Sequence, residues 1–105
     1  MLFRSREAVA AFEEAVRADS GSFQVRALLG MSYYGSSRYR DAASQLKLAS
    51  EAQPDNLELR YTLAQSYLWS DQYPEALAEF QFLLSNTLVQ NRFLQSEIRR
   101  APSYN

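Results

Sequence analysis

A chain of 105 residues that is 47% hydrophobic carries enough apolar material for one small folded domain, and three Gly and three Pro are few for a turn-rich β sandwich. Its 11 basic and 12 acidic residues leave a formal net charge of −1, so no general field draws in nucleic acid or anionic lipid. Without Cys or His it has no disulfide, no thiolate or imidazole metal ligand, and neither a Cys nucleophile nor a His general base.

The opening "MLFRSREAVAAFEEAV" has only three residues before charges begin, which is not a signal-peptide pattern. No apolar run approaches the roughly 20 residues that span a bilayer. The expectation is a chain without membrane insertion, with the cytoplasm favoured. A longer parent protein could still carry a targeting segment.

Residues 5–18 place Ala8, Phe12 and Ala15 along one helical side, with Val9 and Val16 beside them. Ser5 is the expected cap, and Glu7 suits the positive end of the helix dipole. "ADSGS" breaks the pattern, and Ser22 can cap a second helix over 23–35, striped by Val25, Leu29 and Tyr33. Gly30 lies inside that helix at a cost of about 1 kcal/mol relative to Ala, which predicts close approach of a neighbouring helix. A third helix over 39–52 carries Ala42, Leu46 and Ala49. It ends at "QPDN", where Pro54 stops it and Asp55 or Asn56 caps the next. A fourth helix spans 57–69. A fifth opens at Pro74 and carries Ala76, Phe80 and Leu83. The rhythm fails over 86–105, which reads as a divergent tail with a capping helix through Leu88, Phe93, Leu94 and Ile98.

One register joins these segments. Leu29, Gly30, Tyr33, Tyr39, Ala42, Leu46 and Ala49 return 34 residues later as Leu63, Ala64, Tyr67, Tyr73, Ala76, Phe80 and Leu83. Ala8, Phe12 and Ala15 stand one interval before Ala42, Leu46 and Ala49. This period and the Leu-Gly-Tyr, Ala and Phe positions resemble the tetratricopeptide repeat family. Arg26 and Arg60 stand where the family pattern has Trp, and Leu88 replaces the closing Pro. The resemblance implies an all-α fold, a right-handed superhelix of antiparallel helix pairs. It divides the chain into repeats over 1–85: helix B of a partial repeat at 5–20, a repeat at 23–56 and another at 57–85. With its helix A missing, the first segment leaves Phe12 without natural cover. Self-association through uncapped ends, or membership of a longer array, is the expected consequence.

The resemblance also implies where a partner would sit. In this family the first helices of successive repeats line a concave groove that holds a peptide or helix. The matching positions are Gln24, Ala27, Met31, Tyr34 and Gly35, then Glu58, Tyr61, Gln65, Leu68 and Trp69. Ala27, Met31, Tyr61 and Gln65 replace the basic and amide residues with which some members grip a terminal carboxylate. A semi-apolar groove is expected instead, since Trp, Tyr and Met give large contact area. Packing of Tyr34 and Trp69 onto neighbouring helices is the competing reading. Glu75 and Glu79 have no His, Cys or glycine-rich loop nearby and read as a solvated face, not an acid–base pair. Arg38, Arg40 and Lys47 make only a small basic patch. The sequence therefore points to a non-catalytic protein-binding scaffold without cofactor, metal or nucleic acid. A structural spacer is the alternative.

Overall fold

The computed structural model describes the backbone of residues 5–100 and the side chains of residues 6–86. Five helices follow one another: α1 (Ser5–Ala18), α2 (Phe23–Gly35), α3 (Tyr39–Ala52), α4 (Leu57–Trp69) and α5 (Tyr73–Arg100). No strand occurs among the described residues. Each helix packs on the next, and α2 also touches α4. Short connections between packed neighbours make this an all-α stack of antiparallel helices.

The ends of the helices repeat as faithfully as their cores. Ser22 Oγ accepts from the Val25 amide at 3.3 Å, and Asn56 Oδ1 accepts from the Leu59 amide at 3.1 Å. Each satisfies a donor that a helix start leaves open, worth about 1 kcal/mol. Ser5 is itself helical, and it stands at the edge of the described residues. Between α2 and α3, Ser37 takes a left-handed φ of 62°; between α4 and α5, Asp71 does so at 63°. The Arg38 and Gln72 amides then each bond back, at 2.8 Å, to the carbonyls of Tyr33 and Tyr67. Gly35 remains inside α2, so the reversal is made by the serine pair that follows it.

Small residues let these helices approach. Ala42, Leu46, Ala49 and Ala64 are 0% exposed. A Cβ on Gly30 would lie 2.6 Å from Leu46 Cγ, nearer than real carbon contacts allow. The glycine expected to permit close approach does so, and Leu46 occupies the space. Tyr33 and Tyr67 are equally buried. The expected equivalence of Leu46 and Phe80 does not extend to depth: Phe80 is only half-buried, its ring meeting Tyr61 edge-on at 6.5 Å. Nor is Phe12 left bare. It is half-buried against the core, with Ala8 and Val9 buried beside it.

Helix α5 has 28 residues and passes without a break through the position where the sequence suggests a tail begins. Leu88 explains the continuity: a proline there would remove a backbone donor and clash with the preceding turn, whereas leucine does neither. The side chains of the tail, and with them any capping contact, lie outside the described residues.

Candidate partner-binding face

Because α2 and α4 touch, their outer faces adjoin. Gln24, Met31 and Gly35 on α2, and Glu58, Tyr61 and Trp69 on α4, are exposed. Ala27, Tyr34, Gln65 and Leu68 are half-buried, with Ala27, Tyr34 and Leu68 packed against the core. Trp69, at 59% exposure, and Tyr61, at 51%, do not pack inward. Gln65 Nε2 donates to the Tyr61 hydroxyl at 2.8 Å, which orients the phenol along the helix. Leu28, half exposed, joins this face although the family positions omit it. Its place four residues after Gln24 and three before Met31 is the signal that could have found it.

Aromatic rings continue the face across the repeat boundary. Tyr34 meets Tyr39 edge-on at 5.4 Å, and Tyr39 lies 6.3 Å from Trp69. Beside them an Arg40 guanidinium N–H donates to the Ser70 carbonyl at 3.2 Å, tying the start of α3 to the end of α4. Tyr39 therefore bridges repeats. Its equivalent Tyr73 has no such neighbour described and is 58% exposed.

The two arginines in the family's Trp position act as a pair of clips. Arg26 donates to the Ser20 carbonyl at 2.8 Å and to Gln45 Oε1 at 2.9 Å. Arg60 donates to the Pro54 carbonyl at 3.0 Å and to Glu79 Oε1 at 2.9 Å. Its guanidinium carbon also lies 3.6 Å from the centre of the Phe82 ring, a cation–π contact. Each arginine thus joins the turn before its helix to the following helix.

The Tetratricopeptide repeat model matches residues 33–86, just over half of the chain. The chain belongs to the tetratricopeptide repeat family. No curated protein matches it. Tetratricopeptide repeats are protein–protein interaction modules and generally non-catalytic. Among the described residues of this tetratricopeptide repeat chain, no group of three or more His, Cys, Asp or Glu could hold a metal ion. No described helix is long and apolar enough to cross a membrane.

The buried tyrosines of these tetratricopeptide repeats differ in their partners. The Tyr33 hydroxyl donates to Glu13 Oε2 at 2.6 Å, and the Arg38 guanidinium lies 4.5 Å from its ring centre. Burial, then the bond to Glu13, pushes its pKa up to about 12. Burial, with Glu79, Glu75 and Glu51 nearby, also raises that of Tyr67. The folded state thus holds a proton that the unfolded tyrosine, with a pKa near 10, releases more easily. The stabilisation is fully present below about pH 10 and is lost as pH rises toward 12. A thermal-melt series between these pH values should show a falling Tm. Tyr33→Phe should flatten the fall, and an unchanged slope in that variant would remove Tyr33 as its source.

Proposed function

We propose that the α2–α4 face receives an extended or helical segment of a partner protein. One observation carries the reading: Met31, Tyr61 and Trp69 stand exposed on adjoining first helices of two repeats, with Leu28 beside them. Aromatic and Met side chains supply much of the energy of such contacts. Glu58 and Gln24 add polar groups at the same ends of the two helices, leaving the middle semi-apolar. The partner chemistry that fits is an amphipathic segment with apolar anchors at helical spacing.

Selection from a displayed peptide library tests the reading. Trp69 is the only tryptophan, so its emission reports directly on binding. Selected peptides should shift it to the blue and should bind Tyr61→Ala/Trp69→Ala at least about tenfold more weakly. Both rings are exposed, so the double variant should keep its helical circular dichroism. Equal binding to both proteins would favour a spacer whose contacts lie elsewhere.

A further inference from the structure

Tyr67 is only 8% exposed, yet its hydroxyl forms no hydrogen bond among the described residues. That hydroxyl is not sealed in the core, where every described buried polar side-chain atom has a partner. Tyr67 instead lines a cleft of about 360 Å³ among α3, α4 and α5, together with Arg40, Lys47, Gln72 and Glu75.

The chain holds a second version of this place, one repeat earlier. Arg6, Val9, Ser36 and Arg38 line a cleft of about 350 Å³, and Arg6, Val9 and Arg38 stand 34 residues before Arg40, Ala43 and Gln72. There the tyrosine is satisfied from within: the Tyr33 hydroxyl donates to Glu13 Oε2 at 2.6 Å, from the helix packed against its own. The residue 34 positions after Glu13 is Lys47. The later repeat thus keeps the buried donor and replaces its acceptor by an ammonium group, which donates hydrogen bonds and accepts none. Two donors of one cleft, Tyr67 and Lys47, are left to converge on an acceptor from outside.

Charge selects that acceptor. Arg40 and Lys47 bring two positive charges to the cleft against the one negative charge of Glu75. Lys47 forms no ion pair among the described residues, and Arg40, tied by one N–H to the Ser70 carbonyl, keeps its other donors. Of the other carboxylates near Tyr67, Glu79 is held by Arg60 at 2.9 Å and Glu51 faces solvent.

We propose that this cleft binds a carboxylate from outside the chain, which takes the place that Glu13 fills one repeat earlier. It accepts from the Tyr67 hydroxyl and pairs with Lys47. The site is separate from the α2–α4 face. Arg40, Lys47, Tyr67 and Gln72 are not among the groove positions at which other members of the family hold a terminal carboxylate.

Titration of the isotope-labelled full chain with succinate, followed by nuclear magnetic resonance, tests the site. Succinate should shift the backbone amides of Tyr67 and Gln72 and the Gln72 side-chain amide, saturably and in the millimolar range. Succinamide, its uncharged analogue, should not. Tyr67→Phe keeps the ring and removes the donor, and should weaken binding about tenfold or more. Lys47→Glu, an exposed substitution that copies Glu13, should supply the carboxylate from within and abolish binding while helical circular dichroism persists. Glu75→Gln, also exposed, should tighten binding by removing the one opposing charge. A short end-blocked peptide with a central glutamate separates the two sources of the group. Tighter binding than succinate assigns the acidic side chain of a protein, and weaker binding assigns a free small acid. Absence of a saturable shift, equal shifts with succinamide, or undiminished binding by Tyr67→Phe would overturn the proposal. So would shifts confined to Arg6, Ser36 and Arg38, which would place the anion in the first cleft.

Discussion

Leu46→Ala is expected to destabilise the fold by about 2–5 kcal/mol, toward the upper end of the range for buried leucines. Leu46 is 0% exposed and fills the space that Gly30 leaves, so its loss opens a cavity between two helices already at closest approach. The equivalent truncation, Phe80→Ala, removes more atoms from a half-buried site and is expected to cost less than the fully buried maximum of about 5 kcal/mol. The complementary change is also informative. Gly30→Ala gains up to about 1 kcal/mol of helix propensity but drives a methyl to 2.6 Å from Leu46 Cγ, so the net effect is a loss of about 1–2 kcal/mol. Urea denaturation of the three variants checks the ordering. If Gly30→Ala were stabilising, Leu46 would have room to move and the packing described for α2 and α3 would be wrong.

The second large effect falls on Arg60. Its side chain is 19% exposed and that of its partner Glu79 is 16% exposed, so neither is freely solvated. Arg60→Ala removes the ion pair, the bond to the Pro54 carbonyl and the contact with Phe82, and strands Glu79 in a half-buried site. A loss of about 2–4 kcal/mol is expected, below that of a fully buried pair but well above a surface one. Arg26→Ala should cost less, about 1–2 kcal/mol, because its partner Gln45 is neutral. Thermal melts of both variants, with the Arg60→Ala/Glu79→Gln double variant, separate the charge from the packing. Recovery of stability on adding Glu79→Gln is the expected result. Equal losses for Arg26→Ala and Arg60→Ala would mean that the stranded carboxylate finds water.

Much of this was legible in the sequence because volumes recur. The stripe of Leu29, Gly30, Tyr33, Ala42 and Leu46 places α2 against α3 without any coordinates, and the start of α2, the end of α3 and the start of α4 follow from Ser22, Pro54 and Asn56. Three features were not legible, each for a physical reason. Arg26 and Arg60 look like failures of the family pattern, because a hydrogen bond to a carbonyl six residues earlier leaves no mark in hydropathy. The exposure of Trp69 depends on where a turn directs the end of α4, and side-chain type alone fits burial equally well. Tyr73 repeats Tyr39 in sequence yet stands exposed, since whether a ring is covered depends on the next helix and not on its own. On the candidate face, the family resemblance supplies Met31, Tyr61 and Trp69, which are exposed, but omits Leu28 and Tyr39, which enter through neighbours on other turns or helices.

The arginine clips have a consequence for how such a chain can change length. Arg26 and Arg60 each span the same six residues back to a carbonyl in the connector before their helix while reaching forward to the following helix. One residue inserted between 20 and 22 or between 54 and 56 would move the carbonyl out of reach while the forward contact stayed fixed. These connectors, though exposed and polar, should therefore be the segments least tolerant of insertion, contrary to the usual behaviour of surface loops.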